Sequence, residues 1–317
     1  MDAQRAAFFK PFSDATGIEV VETTTPEFAK IRAMVESGNT EWDVVNIVPS
    51  DYLALTELDM LEKFDYNMID SKILDGVDPA VIFDYGIGND FYSEAIAYSK
   101  KAFPNEAPKS WVDVWDTEKF PGPRMLYSAE WVIRPNEGAI MGSGVPADGV
   151  YPLNLDASYD ALGNIRENVA KWATSAAMPV QALVDGEAVI AQAPANRIQN
   201  IKEQGAEVDY IWNQALTQYD LWSIPKNAPN YENAMKFIEY CSRPEAGAAL
   251  AMIQPVGPVT AASFDLLPPE RAAILPRSPE NADKLVIIDS AWWAQKGDDG
   301  KTNIEKNVEM WNRFVLL

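Results

Sequence analysis

The sequence predicts an α/β protein divided into two lobes. The chain has 317 residues, more than the roughly 250 to 300 residues at which single hydrophobic cores stop growing. Hydrophobic residues make up 47% of it and charged residues 23%, as in ordinary globular proteins. Its first elements alternate between helix and strand, which favours parallel strands with a ligand crevice at their carboxyl ends.

The first predicted element is a helix. Ala6, Phe9 and Phe12 have the apolar spacing of a helix, and Gly17 is a typical helix stop. The elements predicted next are a strand over residues 18–22, a helix that Pro26 opens and Gly38 ends, and a β-rich run over residues 42–48 followed by Pro49 and Ser50.

Later segments continue the alternation as far as Asp220, after which helices dominate. The predicted strands cover residues 124–127, 188–192 and 208–212. The predicted helices cover residues 158–172, 180–184, 198–204, 231–241, 245–253, 269–274 and 304–315. Two more extended segments, 93–98 and 221–225, are either crossings between the lobes or ordinary core strands.

The charge and the missing residue types exclude several classes of function. The chain has 26 basic and 47 acidic residues, a net charge of −21 that repels nucleic acid and anionic lipid surfaces. Solubility or adaptation to a salty environment explains this acidity, and so does attraction of a cationic ligand. No histidine is present, which excludes Ser-His-Asp and Cys-His catalysis and His-ligated zinc.

The single cysteine, Cys241, shares a helical apolar pattern with Ala234, Phe237 and Ile238 and is predicted to be a buried core residue. One cysteine allows no internal disulfide, and no cofactor or metal is expected. No apolar stretch approaches the roughly 20 residues that span a bilayer. The N-terminus lacks a basic segment followed by an apolar one, so we expect a soluble chain that has lost an export signal or part of its start.

Six segments, taken in order, resemble the spermidine/putrescine-type binding proteins of ATP-driven (ABC) importers. They are FFKPFSDATGIEV, which ends at Val20, EWDVVNIVPS (41–50), SWVDVW (110–115), VDGE (184–187), DLWSIP (220–225) and NAMKFIEYCSRP (233–244). The resemblance covers nearly the whole chain. It implies the type II periplasmic-binding-protein fold, in which two α/β lobes close over a ligand.

The resemblance also implies the lobe boundaries. Lobe 1 is expected to comprise residues 1–97 and about 222–277, and lobe 2 residues 98–221 and about 278–317, with a hinge near 93–98 and 220–225. Members of the family usually begin with a strand and a Trp- or Gly-containing loop, and this chain has neither. We therefore expect the first strand of lobe 1 to be missing.

The function that the resemblance implies is solute capture without chemical change. The chain is expected to be a monomeric periplasmic protein, not an enzyme, that binds a small, polyamine-like cation and delivers it to a membrane permease. Such a cation needs carboxylates for its ammonium groups and aromatic rings for its methylenes.

Candidate ligand-binding residues follow from the same resemblance. Asp220 lies just before a crossing segment, where the family commonly has an aspartate that grips an amine. Ser50 and Tyr52 follow the strand predicted to end at residue 48 and match a family serine and an aromatic residue. Tyr92 and Ser93 open the first crossing segment.

Further candidates lie in the second lobe. Glu137, near a predicted helix start, matches a family glutamate or complements the helix dipole. Trp292 and Trp293 resemble the family's C-terminal Trp-Gln site, where one ring is expected to pack and the other to face the ligand. Thr174 and Ser175 lie in a loop that often supplies polar contacts.

One departure from the family keeps other ligands open. At residues 193–197 (APANR) the family commonly has a Trp followed by Asn-Gly, a stacking platform for polyamines. A bulkier, aromatic or zwitterionic ligand is the alternative, with Arg197 or Arg134 holding its carboxylate. Other classes are a hydrolase that uses Asp220 and Glu137 and an interaction protein. Ferric-iron capture is disfavoured, because the sequence has no adjacent tyrosine pair and no histidine.

Overall fold

The predicted α/β class is confirmed by the computed structural model, which describes residues 2–23 and 28–316. The predicted helix start at Pro26 lies outside these residues. The strands are β1 (Val45–Ile47), β2 (Ile82–Phe83), β3 (Gly86–Ser99), β4 (Arg124–Tyr127), β5 (Val169–Ala173), β6 (Ile190–Pro194), β7 (Val208–Ser223), β8 (Gly257–Pro258) and β9 (Leu285–Ile287).

The helices match most of the predicted segments. They are α1 (Asp2–Gln4), α2 (Lys10–Thr16), α3 (Phe28–Glu36), α4 (Pro49–Glu57), α5 (Ser71–Leu74), α6 (Trp111–Trp115), α7 (Asn136–Gly142), α8 (Leu155–Ile165), α9 (Ala177–Asp185), α10 (Ala195–Glu203), α11 (Tyr231–Cys241), α12 (Pro244–Ile253), α13 (Ala262–Asp265), α14 (Pro269–Ala272), α15 (Ser290–Ala294) and α16 (Asn303–Phe314). A π-helical turn, Arg5–Phe9, joins α1 to α2. Gly17 ends α2 with φ of 73°, a left-handed conformation that glycine adopts without steric cost.

The strand predicted over residues 18–22 is wrong. Within the described part of the chain this segment has no strand partner. The backbone N–H groups of Ile18 and Val20 donate instead to the side-chain oxygens of Thr16 and Ser13, at 3.2 and 3.3 Å. A strand needs a hydrogen-bonded neighbour as well as β-prone residues, and local sequence supplies only the second.

The chain divides into two compact units, each made of two separate pieces. Unit 1 comprises Met1–Phe91 and Tyr219–Pro279, and unit 2 comprises Tyr92–Gln218 and Glu280–Leu317. The first two borders fall inside β3 and β7, ahead of the predicted lobe boundaries at 97/98 and 221/222. The predicted hinge near 93–98 and 220–225 stays a prediction.

Unit 1 is built on short antiparallel ladders. β1 is antiparallel to the end of β7, and β2 and β8 are antiparallel to the first half of β3. Helices α2 and α11 supply part of the core: the ring of Phe12 packs edge-on against that of Phe237 with centroids 5.3 Å apart. Cys241, also in α11, is 5% exposed, which confirms its predicted burial.

Unit 2 contains the predicted parallel strands. β4 lies between β5 and β6 and is parallel to both, while β6 is antiparallel to the second half of β3 and β9 is parallel to β7. Because β4, β5 and β6 run in the same direction, the segments that follow them lie at one edge of the sheet. This edge is where open α/β sheets bind ligands.

Two predicted elements of unit 2 need correction. The helix predicted over residues 158–172 ends at Ile165, and its last part forms β5. Pairing of β5 with β4 and packing of Trp172 on Trp311 and Phe314, with centroids 5.1 and 5.7 Å away, outweigh the local helical pattern. The strand predicted over 208–212 is only the first part of β7, which continues through the separate extended segment at 221–223.

In the part of the chain that the structure describes, no helix is both long and apolar enough to traverse a bilayer.

Replacing Thr302 by Ala should lower the free energy of unfolding by about 1 kcal/mol, the usual cost of losing an N-cap. Thr302 and Glu305 form a reciprocal capping box at the start of α16, the helix whose Trp311 packs on Trp172. Urea unfolding measures the loss. Thr302→Ser keeps the hydroxyl, so its free energy of unfolding should remain close to that of the parent protein. An equal loss of stability in both variants would contradict the capping role of Thr302.

Candidate functional site

Two carboxylates interact in the interior of unit 1. Asp220, the predicted amine-binding residue, lies in β7, and Asp90 lies in the adjacent strand β3. Asp90 is 8% exposed and accepts a hydrogen bond from the side chain of Asn89 at 3.1 Å. Burial raises the pKa of Asp90 to about 7. Burial, and then repulsion from Asp90, raises the pKa of Asp220.

No cationic side chain in the described residues contributes to either pKa. A nearby positive charge favours the ionised form of a carboxyl group, and a second carboxylate opposes it. Bound cationic groups would therefore be stabilised by this pair, which we call the aspartate pair.

Ser50 and Tyr52 lie in the first turn of α4, which Pro49 opens directly after β1. Tyr52 is 6% exposed, and its ring packs 5.2 Å from that of Phe83 in a cluster with Leu55. The structure thus places Tyr52 in the core of unit 1. A ligand contact from Ser50, which is partly exposed, or from Tyr52 stays a prediction.

Tyr92 and Ser93 hold the strands of unit 2 together. The Tyr92 hydroxyl donates to Oε1 of Gln218 at 3.1 Å, and Ser93 shares a 2.7 Å hydrogen bond with Thr217. Nε2 of Gln218 in turn donates to the hydroxyl of Ser290 at 3.0 Å, the first residue of α15. These bonds position the tryptophan-bearing helix relative to β3 and β7, and a direct ligand contact stays a prediction.

Glu137 is fully buried in the first turn of α7. Its Oε1 accepts hydrogen bonds from the hydroxyl of Tyr151 at 2.5 Å and from Nε1 of Trp293 at 2.7 Å. The Arg134 guanidinium lies 4.6 Å from the centre of the Trp293 ring. Burial raises the pKa of Glu137, although these hydrogen bonds and the charge of Arg134 oppose the rise.

The two tryptophans of α15 differ in exposure. Trp293 is 2% exposed, whereas Trp292 is partly exposed and lies edge-on to it at 5.0 Å. Because Glu137, Trp293 and Arg134 already interact with one another, this cluster has an evident structural role. Ligand binding by Glu137, Trp292 or Trp293 stays a prediction.

A fourth carboxylate, Glu94, lies beside aromatic rings in unit 2. Glu94 is 4% exposed, and its Oε1 accepts a 3.4 Å hydrogen bond from Nε1 of Trp131. The rings of Trp131 and Tyr127 stack 4.9 Å apart at 7°. Burial raises the pKa of Glu94 to about 8, an effect that the positive charge of Arg197 partly offsets. We call these four residues the Glu94 cluster.

The Glu94 cluster lies at the edge of the sheet where the parallel strands have their carboxyl ends. Tyr127 ends β4 and Trp131 follows it, while Arg197 lies in the first turn of α10, directly after β6. The predicted residues Thr174 and Ser175 follow β5 at the same edge, where Thr174 is exposed and Ser175 partly exposed. The structure thus places Thr174, Ser175 and Arg197 at one edge of one sheet.

Asp90, Glu94, Tyr127 and Trp131 were missed in the sequence. Asp90 and Glu94 are the charged residues of the extended run 86–99, and a charge inside such a run is a usable signal for a buried charge. Trp131 comes four residues after the correctly predicted strand 124–127, so the rule that ligands bind at the carboxyl ends of parallel strands pointed to it. The stacking of Trp131 on Tyr127 was not visible before folding.

Within the described residues, no group of three or more acidic or cysteine side chains is placed to hold a metal ion.

Replacing Glu94 by Gln should remove one pH-dependent contribution to stability. Glu94 has a pKa of about 8 when folded, above its ordinary value of 4.5. Between these values the unfolded chain releases the proton first, so stability falls as pH rises, and above pH 8 the loss is complete. Urea unfolding of ligand-free protein should show that the free energy of unfolding of Glu94→Gln rises relative to that of the parent protein from pH 5 to 8.

Glu187→Gln is the matched control for this experiment, because Glu187 is exposed in the same unit. The free energy of unfolding of this control should change with pH in the same way as that of the parent protein. A difference in free energy of unfolding between Glu94→Gln and the parent protein that does not change with pH would contradict the raised pKa of Glu94.

A sequence model of the family described as bacterial extracellular solute-binding protein matches residues 7–276. The gamma-aminobutyric acid-binding protein of Pseudomonas aeruginosa is 28% identical over 98% of this chain and 87% of its own. The spermidine/putrescine-binding periplasmic protein of Escherichia coli is 24% identical over 82% of this chain and 76% of its own. The predicted resemblance to that family is confirmed.

The fold is also similar to that of solved structures. An ABC transporter substrate-binding protein from Bradyrhizobium japonicum superposes with a TM-score of 0.90 and 34% identity. The match covers 99% of this chain and 95% of the other.

Proposed function

The chain belongs to the bacterial extracellular solute-binding protein family, and we propose that it captures a small zwitterion, with an ammonium group and a carboxylate, for an ABC importer. The aspartate pair of unit 1 and the Glu94 cluster of unit 2 are the observation that carries this proposal. In both places buried carboxyl groups have a raised pKa, and an ammonium group would stabilise their ionised forms.

The neighbours of Glu94 suit an alkyl ammonium ligand with a second, acidic end. The stacked rings of Tyr127 and Trp131 offer π-faces to methylenes and positive charge, and desolvated cation–π contacts contribute about 2 kcal/mol. Arg197 is exposed in the first turn of α10, where its guanidinium and the helix dipole both favour a carboxylate.

Arg197 also explains why we favour a zwitterion over a polyamine. A second ammonium group near the Glu94 cluster would be repelled by the guanidinium, whereas a carboxylate would pair with it. Arg134, the other arginine considered for this role, already lies against Trp293 near Glu137. The relative that binds gamma-aminobutyric acid has 28% identity, against 24% for the spermidine/putrescine-binding relative.

A polyamine is the second candidate ligand. The net charge of −21 attracts any cation, and the relative from Escherichia coli is named for spermidine and putrescine. Under either ligand the protein works in the periplasm and hands an unaltered solute to a membrane permease. No catalytic step is proposed.

Gamma-aminobutyric acid and other ω-amino acids should raise the melting temperature more than putrescine does. Ligand at a hundredfold excess over its dissociation constant adds about 2.7 kcal/mol of stability. Differential scanning fluorimetry measures the shift, and chromatography of the recovered ligand should show it unchanged. Stabilisation by putrescine alone would favour the second candidate, and a chemically altered ligand would contradict the proposal.

Asp220→Asn and Glu94→Gln should each weaken binding by at least about thirtyfold, because removing one member of a buried charge pair costs about 2 to 5 kcal/mol. Arg197→Gln should weaken the binding of an ω-amino acid and leave the binding of a simple alkylamine of equal length unchanged. Isothermal titration calorimetry gives the affinities, with Glu187→Gln as the control. If Arg197→Gln loses equal affinity for the amino acid and for the alkylamine, the proposal that the ligand is a zwitterion is refuted.

Affinity should rise with pH between about 6 and 8. An ammonium ligand binds the ionised carboxylates, and Asp90 and Glu94 hold their protons up to pH values of about 7 and 8. At lower pH, binding must therefore displace a proton. The dissociation constant, measured at intervals of half a pH unit, should change less steeply with pH in Asp90→Asn than in the parent protein. A pH-independent dissociation constant would contradict ammonium binding at these groups.

A further inference from the structure

A fully buried asparagine interrupts the apolar face of α16. Asn307 is 0% exposed and shares the buried side of the helix with Trp311 and Phe314. Asparagine is a weak helix former, and a buried amide is tolerated only where its donors and acceptors find partners. The reason for a polar residue at this position therefore lies in the groups that it contacts.

The amide of Asn307 connects α16 to the turn that carries Trp131. Nδ2 of Asn307 donates to the main-chain carbonyl of Ala129 at 3.1 Å. The hydroxyl of Tyr159, in α8, donates to Oδ1 of Asn307 at 3.0 Å and to its main-chain oxygen at 2.9 Å. Because Oδ1 faces this hydroxyl, Nδ2 is directed toward Ala129.

The helix that presents this amide is itself fixed inside unit 2. The Trp172 ring of β5 packs edge-on against Trp311 and Phe314, with centroids 5.1 and 5.7 Å away. The guanidinium of Arg166 donates to the main-chain carbonyl of Phe314 at 2.8 Å. Close packing of this kind makes α16 a firm support from which Asn307 reaches the turn.

The Ala129 carbonyl lies in the middle of the turn 128–131, which we call the Trp131 turn. The turn is closed by a hydrogen bond from the backbone N–H of Trp131 to the carbonyl of Ser128 at 3.1 Å. Ala129 is fully buried, and no backbone N–H of the described residues donates to its carbonyl. Without the Asn307 donor this carbonyl would lose its partner, and rotation of the central peptide is what converts one turn type into another.

Such a rotation would displace the ring that completes the Glu94 cluster. Trp131 is the last residue of the turn; its ring stacks 4.9 Å from that of Tyr127, and its Nε1 donates to Oε1 of Glu94 at 3.4 Å. On the other side of Trp131, the carbonyl of Ile133 accepts a 3.1 Å hydrogen bond from Nε2 of Gln192. The position of the ring thus depends on the turn that precedes it.

We propose that Asn307 is a positioning residue of the solute site: from α16 it fixes the Trp131 turn and thereby holds the ring of Trp131 beside Glu94. This inference rests on the function proposed above, because it takes the Glu94 cluster to receive the ammonium group. The hydrogen-bond partners of Asn307 are Ala129 and Tyr159, so it acts on the solute only through the turn.

The first experiment follows the Trp131 ring in ligand-free protein. The ten tryptophans are replaced by fluorotryptophan, and the fluorine NMR signal that disappears in Trp131→Phe belongs to Trp131. Asn307→Leu replaces the amide by an apolar group of similar shape, and the Trp131 signal should move or broaden because the ring leaves its stack with Tyr127. Tyr159→Phe keeps Nδ2 but no longer orients it, and should move the same signal less.

Thr302→Ala is the matched control, because it weakens α16 at the N-cap and leaves the Asn307 amide intact. The Trp131 signal should stay in place in this variant. An equal displacement in Thr302→Ala and Asn307→Leu would mean that the helix merely loosens, and the positioning role would be wrong. It would also be wrong if the signal stays in place in Tyr159→Phe and Asn307→Leu, and Tyr159→Phe decides alone if Asn307→Leu does not fold.

The second experiment measures affinity for gamma-aminobutyric acid by isothermal titration calorimetry. Trp131→Ala should weaken binding about thirtyfold, the loss expected when a desolvated cation–π contact disappears. Asn307→Leu should weaken it about tenfold. In the Trp131→Ala background, Asn307→Leu should change affinity by less than about twofold, because two groups that act through one ring are not additive. Fully additive losses would overturn the inference.

The two measurements separate this inference from the proposed function. If Trp131→Ala keeps the affinity of the parent protein, the Glu94 cluster does not bind the solute and the proposed function fails, whereas the fluorine spectrum still decides whether Asn307 holds the ring. If Trp131→Ala loses affinity but the Trp131 signal stays in place in Asn307→Leu, the solute site stands and the positioning role of Asn307 fails.

Discussion

Burial of carboxyl groups without matching cations is the constraint that governs this protein. Moving an ionised carboxylate out of water costs several kcal/mol unless hydrogen bonds or opposite charges replace the lost solvent. Glu137 meets this requirement inside the protein, through the hydroxyl of Tyr151 and the indole of Trp293. Asp90, Asp220 and Glu94 meet it less completely, and burial raises the pKa of all four carboxyl groups.

The strand β3 explains how such costly groups are held in place. It is fourteen residues long and carries Asp90 in unit 1 and Glu94 in unit 2. Pairing of β3 with β6 and β8 fixes both carboxylates in the interior whether or not a partner is present. Stability spent on such positions is typical of binding sites, where the ligand supplies the missing charge. An ammonium group fits that requirement and is consistent with the family.

Local sequence determined the α/β class, most helices, the strand over 124–127 and the burial of Cys241, because periodicity and caps depend on near neighbours. Tertiary structure decided that residues 18–22 lack a ladder, that 169–173 form a strand, and that Tyr52 packs in the core. It also brought Asp90 beside Asp220 and stacked Trp131 on Tyr127 near Glu94. Strand pairing and desolvation depend on residues far apart in the chain, so no local pattern specifies them.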